Sequence, residues 1–422
     1  MTIRGINEVE LSEVLAGHLF PSKEIDSPDH LLGRESHLKA ITRTFNSAGR
    51  NVFIFGDRGI GKTSVAVTAA AINNFPEEKP IYVPCGQKST FAEVIQAIGN
   101  QMTKPADRLA PKRTKLGANL GFHGASIGGD FEQSGVSTIP RPDTLNDALD
   151  VLSFIGTRRR GRTVVVIDEF DRITGNDDKL LFAELIKNLP TRGLEVRLIF
   201  CGIGATIDDL LGAHQSCGRY IEPLELDKLH HNYLHDIIKK PAVKLGVEIP
   251  REMLMRIGIV SDGFPHFVHL IGESLFWAMH DDEEEVSAST RKHYDAAVKS
   301  SLMRTEQFLR SAYQKATEKA KHQLEYEEAL WALADRTETR RQLKVIYDGS
   351  YKRIVEQRKL NGREPMTREQ LNSRLLSLRE PAHGQIVIGH GSGFYSFRES
   401  VVRGYVRLKA ETEGIELIPD PA

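Results

Sequence analysis

Short apolar runs alternate with helical periodicities through the first half of the chain, and the alternation then gives way to helices alone. Val52-Phe53-Ile54-Phe55, Pro80 to Cys85, Val164-Val165-Val166-Ile167 and Glu195 to Gly202 are apolar and rich in β-branched or aromatic residues, as strands buried on both faces are. Between them, Ser64 to Ala70, Ser89 to Met102, Asp143 to Arg160 and Leu180 to Leu189 repeat at helical spacing. Such alternation predicts a parallel sheet with helices on both faces. Ahead of it, Pro21 and Pro28 punctuate an extended lead-in, and Leu38, Ile41 and Phe45 mark a helix after Leu31-Leu32-Gly33-Arg34-Glu35. A last strand begins after Arg219.

From Asp227 to Lys299 the pattern is wholly helical, with Leu229 to Leu245, Arg251 to Ser261 and Pro265 to His280 as successive elements. The acidic run Asp281 to Glu285 reads as a solvated turn, and residues 287–320 as a polar helical connector. Tyr326 to Asp335, Arg340 to Lys359 and Thr367 to Arg379 predict three helices. An apolar strand, a Gly-rich turn and the aromatic strand Phe394 to Phe397 follow as a hairpin, and Glu399 to Glu413 closes the chain as a helix. Three helices and a hairpin are the winged-helix order. The expected domains are a lead-in over 1–45, an α/β core over 46–226, a helical domain and connector over 227–320, and a winged-helix-like domain over 321–422. Residues 103–142, rich in Gly, Pro and Ser and opening on Lys104, Arg108, Lys112, Arg113 and Lys115, interrupt the core as an insertion. They are either a disordered or loosely paired connection, or a contact loop for a neighbouring subunit, a partner or nucleic acid.

Composition changes this picture in three places. The 56 Lys and Arg balance 57 Asp and Glu for a net charge of −1, so any nucleic-acid surface has to be local. The strongest local excess lies between Arg336 and Arg379, where twelve basic residues stand against five acidic ones; it suits either a phosphate footprint or a solvated protein-interaction face. Cys85, Cys201 and Cys217 are widely spaced with no C-x-x-C pair, which argues against a disulfide framework or a zinc site. With neither a signal-peptide core nor a membrane-length apolar run, a soluble, cytoplasmic protein without a membrane partner is expected.

Two stretches carry chemistry. Gly56-Asp57-Arg58-Gly59-Ile60-Gly61-Lys62-Thr63 fits G-x-x-x-x-G-K-[ST], entered from a strand and left through a helix at Ser64. In such a loop backbone N–H groups and the helix N-terminus face phosphate oxygens, Lys62 reaches the β- and γ-phosphates, and the Thr63 hydroxyl sits on Mg²⁺. ATP and Mg²⁺ are therefore the expected cofactors. The second stretch is Asp168-Glu169, two carboxylates at the C-terminal end of a strand, where ligands bind in open α/β sheets. Asp168 would hold the metal through water, and Glu169 would orient and deprotonate an attacking water.

Together, GDRGIGKT, VVVIDEFD, the upstream LLGRE, the SCGR before the last strand and the DGFPH helix start resemble the AAA+ ATPases. The nearest clade holds origin-recognition-type initiators, STAND-like signalling ATPases and transposon target selectors. The resemblance covers about residues 18–300 plus the winged-helix-like tail. It implies an α/β fold, a P-loop AAA+ three-layer parallel sheet with a helical lid followed by a winged-helix-like α+β domain. It also implies that the Gly33-Arg34 segment packs over the adenine, the alternative being an ordinary N-terminal helix that covers the sheet. Arg219 stands where many members keep an arginine finger aimed at a neighbour's nucleotide, or it is a solvated arginine. His266 stands where the family's lid arginine meets the phosphates, while a proline at the first turn of a helix already accounts for Gly263 and Pro265. No Asn or Thr occupies the sensor point after Cys201, for which Thr206 is the substitute candidate, and these departures put the rate of hydrolysis in doubt. The resemblance implies an ATP-hydrolysing switch whose nucleotide state controls self-assembly and engagement of an effector protein, or of DNA through the C-terminal domain. The alternative is a nucleotide-binding scaffold or DNA-binding adaptor with negligible ATPase activity. No aromatic pore loop follows the second strand, which argues against a processive unfoldase.

Overall fold

The computed structural model describes residue 3 and residues 5–102, 139–204, 206, 217–319, 321–358 and 363–417. Most of the 103–142 insertion and the segment before Cys217 lie outside the described residues. The chain divides into two units, one of His37–Phe55 with Ala66–Leu224, the other of Met1–Ser36, Gly56–Val65 and Glu225–Ala422.

The first unit is built on a five-stranded sheet in the order β2-β3-β4-β1-β5, with β1 Asn51–Gly56, β2 Ile81–Pro84, β3 Thr163–Asp168, β4 Val196–Gly202 and β5 Ile221–Leu226. The β1–β4, β3–β4 and β2–β3 pairs are parallel, as the alternation of strands and helices predicts. Every residue of β3 and β4 is buried, so Val164–Ile167 and Leu198–Cys201 read as apolar runs, whereas β5 alternates as an edge strand does. Counting α1 (Glu8–Ala16) and α2 (Glu35–Phe45) first, the helices between strands are α3 (Lys62–Asn73), α4 (Phe91–Asn100), α5 (Leu145–Arg158) and α6 (Asn176–Asn188). Capping boxes at Thr90 and Thr144 start α4 and α5 one residue before their apolar stripes begin. Phe53, Phe91, Phe170, Phe182 and Phe200 form an edge-to-face and stacked cluster in this core.

In the second unit, α1, α7 (His231–Leu245), α8 (Arg251–Val260), α9 (Pro265–His280) and α10 (Arg291–Arg304) share one apolar core with Leu408. Then come α11 (Gln307–Thr317), α12 (Gln323–Ala334), β6 (Arg341–Gln342), α13 (Lys352–Arg358), α14 (Arg368–Ser377), β7 (Val387–Gly389), β8 (Phe394–Phe397) and α15 (Ser400–Thr412). The predicted helix from Arg340 starts later than the spacing suggests. Arg341 and Gln342 extend the hairpin as a third antiparallel strand, Arg341 opposite Tyr395, and the helix continues through a π turn at Ile346–Tyr351. The reason is the Arg341 side chain, which is buried and donates to the Ala332 carbonyl and Ser350 Oγ. The acidic run after α9 is also more than a solvated turn, since Asp282 hydrogen-bonds the buried His293 at 2.7 Å.

Arg403 and Arg407 of α15 converge with Lys228 on Asp262, a 9% exposed carboxylate at the end of α8. Burial works to raise the Asp262 carboxyl, but Arg407, Arg403 and Lys228 outweigh it, so its pKa lies below the usual carboxylate value.

Candidate nucleotide site

β1 delivers the chain into the glycine loop, and Gly56, Gly59 and Gly61 take φ of +146°, +84° and +95°, conformations that side-chain-bearing residues rarely adopt. A Cβ on Gly56 would come within 2.5 Å of the Leu226 carbonyl, whereas one on Gly61 would meet nothing within 4 Å. The loop is thus tight at its base and open beside the start of α3. Lys62 Nζ lies across it and donates to the carbonyls of Gly56 (2.9 Å) and Asp57 (2.8 Å). Open space at Gly61, a helix N-terminus and an ammonium held over the loop's own backbone fit a polyphosphate.

Several neighbours brace this loop. Arg34 is buried and donates from Nη2 to the carbonyls of Ile60 (3.2 Å) and Asp227 (2.7 Å), so its guanidinium ties the loop to the strand–lid junction. Gly33, at φ +70°, lies so close to Tyr233 that a Cβ would sit 2.6 Å from the ring. Ser64 Oγ accepts from Ile25 N–H at 3.1 Å. Arg58 is half exposed, 3.4 Å from Glu306 and 4.7 Å above the Phe308 ring. His266 is the second residue of α9, directly after Pro265. Burial pushes its pKa down against the opposing pull of Glu306, its ring hydrogen-bonds the Pro21 backbone, and its Nε2 is buried without a partner among the described residues. The imidazole is consequently neutral at pH 7 and supplies no fixed positive charge.

The carboxylates occupy the end of β3. Asp168, 5% exposed, accepts from Tyr82 Oη–H on Oδ2 (2.9 Å) and from Glu169 N–H on Oδ1 (2.8 Å), and its carbonyl accepts from Cys85 N–H (2.9 Å). Glu169 turns the chain with φ +51° and ψ +40°, left-handed backbone that is uncommon for a non-glycine residue and clusters at functional sites. Phe170 is buried in the aromatic cluster and anchors that turn, while Arg172 stands 3.7 Å from Glu169. The Cys85 thiol is pushed up to about 12 by burial and by the charges of Asp168, Glu169 and Asp171, so negative potential accumulates at this strand end.

Arg219 is exposed at the end of a short 3₁₀ turn, Cys217–Arg219. Thr206 is buried, its N–H on the Ile203 carbonyl. Tyr82, Glu306 and Phe308 belong to no motif, because their contacts join residues far apart in the chain. The basic excess of 336–379 is largely spent internally: Arg341 is buried, Arg353 pairs with Asp335, Arg358 with Glu327, Arg363 with Glu328 and Arg374 with Glu325. Lys359 lies outside the described residues. No helix among the described residues is long and apolar enough to cross a membrane.

Comparison with known proteins agrees with this geometry. Residues 30–199 match the family model of the AAA ATPase domain. The replication factor C large subunit of Methanococcus maripaludis is 31% identical over 103 residues, 24% of this chain and 20% of that protein, so the chain spans only about a fifth of such relatives. A Walker-type ATPase of Pyrococcus abyssi superposes with a TM-score of 0.53 at 16% identity, covering 92% of this chain and 99% of its own. The Aeropyrum pernix ORC2 protein gives a TM-score of 0.49 at 14% identity over 92% and 96%. The fold is the P-loop AAA+ fold with a helical lid and a C-terminal winged-helix-like domain, and within it residues 30–199 are similar to the AAA ATPase domain.

Proposed function

We propose that the protein binds and hydrolyses ATP with Mg²⁺, and that its nucleotide state controls self-assembly and engagement of a partner. The observation that carries this reading is the glycine loop with Lys62 Nζ 2.9 and 2.8 Å from the loop's own carbonyls, beside an open Gly61. Residues Gly56 to Ser64 hold the phosphates, Lys62 supplies a point charge to the β- and γ-oxygens, and Thr63 and Asp168 hold the metal. Bound Mg²⁺ would neutralise charge on the phosphate oxygens. Glu169, aimed by its left-handed backbone, accepts the proton of the attacking water. Arg219, exposed on its turn, serves a neighbouring subunit's nucleotide as a finger. Arg34 acts here by bracing Ile60, and Gly33 by permitting the approach to Tyr233.

Slow or partner-stimulated turnover is expected because a histidine rather than an arginine stands at the head of α9 and no polar side chain directly follows Cys201. The same two features favour the second reading, a nucleotide-binding scaffold with negligible hydrolysis. We assign the C-terminal domain to a protein partner, because Arg353, Arg358, Arg363 and Arg374 are paired with Asp335, Glu327, Glu328 and Glu325.

Titration calorimetry and steady-state ATPase assays on two variants test the reading. Lys62→Ala should lose ATP binding, and Glu169→Gln should keep binding but turn over about 10² to 10⁴ times more slowly. Wild-type affinity in the first variant would remove the nucleotide site from this loop. Unmeasurable turnover in the intact protein, with and without DNA, would leave the scaffold reading.

A further inference from the structure

We propose that the Tyr82 hydroxyl is a positioning group that fixes the metal-binding carboxylate of Asp168. The inference rests on the reading of Asp168 as the residue that holds Mg²⁺. Tyr82 lies on β2, opposite Val166 in the parallel ladder, two residues before Asp168 on β3, and from there its hydroxyl donates to Oδ2 at 2.9 Å. Its own backbone is clamped. Gln101 at the end of α4 accepts from Tyr82 N–H and donates to the Tyr82 carbonyl, so the phenol is held on a fixed stem at the sheet edge.

Glu169 N–H holds the other oxygen, Oδ1, at 2.8 Å. Held by a donor on each oxygen, the carboxylate plane is restrained against rotation. The donor is also the right kind. A lysine or arginine at this place would cancel the negative charge a divalent ion needs, whereas a phenol orients the carboxylate and leaves its charge intact.

The test compares full-length wild type, Tyr82→Phe and Asp168→Asn by fluorescent ATP-analogue binding in EDTA and across a Mg²⁺ titration, with thermal melting alongside. Tyr82→Phe removes one oxygen and should leave melting and metal-free nucleotide affinity unchanged, while the Mg²⁺ concentration for half-maximal effect rises about tenfold or more. Asp168→Asn should shift it further. If Asp168→Asn leaves the Mg²⁺ dependence at the wild-type value, the metal reading of Asp168 fails and the inference falls with it. If Asp168→Asn shifts it and Tyr82→Phe does not, the metal reading stands and the role of Tyr82 is refuted. A Tyr82→Phe protein that melts lower and loses metal-free affinity in proportion would make the hydroxyl a structural group and overturn the proposal.

Discussion

Replacing Asp262 by Asn removes one negative charge from among three cations without changing the size of the side chain. Asp262 has φ +52°, left-handed backbone that Asn also tolerates, so the substitution adds little backbone strain. Lys228 Nζ lies 2.7 Å away, Arg407 Nη1 3.3 Å and Arg403 Nη2 3.5 Å, and the two arginine side chains are at most 5% exposed. Breaking a buried pair from one side leaves uncompensated charge and costs about 3 to 5 kcal/mol. Here Arg407 also donates to the carbonyls of Ala334 (2.9 Å) and Ile259 (2.8 Å), and Arg403 to that of Thr337 (3.0 Å). Such carbonyls near helix C-termini carry partial negative charge, so the lower end, about 3 kcal/mol, is expected. Trp277 and Trp331 are the chain's two tryptophans and both fall in the Glu225–Ala422 segment, so their fluorescence follows the unfolding of this unit. At a urea m-value of about 2 kcal/mol/M, the midpoint should drop by about 1.5 M at pH 7. The folded pKa of Asp262 is depressed, so its contribution is fully present above the unfolded carboxyl value and is lost as pH falls through the folded one. The gap between wild type and Asp262→Asn should therefore close below about pH 4. A midpoint unchanged at pH 7, or a gap that widens on acidification, would refute this account of the cluster.

Arg219→Ala should bind ATP normally and hydrolyse it about 10³-fold or more slowly, and mixing it with Lys62→Ala should recover part of the activity if the finger acts across a subunit interface; co-assembly without recovery would remove that role. Duplex DNA binding at low salt should be weak and should disappear in an Arg340→Glu, Lys344→Glu variant; a robust shift that survives both changes would contradict the internal use of the other arginines. Cys85, Cys201 and Cys217 are all buried, and burial pushes the Cys217 thiol up to about 11, so native protein at pH 8 should react with Ellman's reagent far more slowly than unfolded protein, which titrates three thiols.

How far the sequence reaches depends on whether the partners of a residue are consecutive with it. The parallel sheet is legible because β3 and β4 are buried over their whole length, so Val164–Ile167 and Leu198–Cys201 are apolar without alternation. The glycine loop is legible because its strand, glycines, lysine and helix start are contiguous, and the positive φ at Gly56, Gly59 and Gly61 is a property of those residues themselves. The strand at Arg341-Gln342 is not legible, since its pairing partners, Tyr395 and Phe394, lie more than fifty residues on and helical spacing continues through it. The charge count over 336–379 leaves out ion-pair partners for a similar reason. Glu325, Glu327, Glu328 and Asp335, which take up Arg374, Arg358, Arg363 and Arg353, stand just upstream of the counted window.

His266 shows the limit at the site itself. Its position at the head of α9 follows from Pro265, and a residue at that point can be named from the sequence alone. Its charge cannot, because imidazole titrates close to neutrality and the direction of its shift is set by burial against the pull of Glu306, forty residues away. An arginine there would remain charged through any such burial. The histidine does not, so the chemistry of this position is decided by how the lid packs, and only the folded chain supplies that.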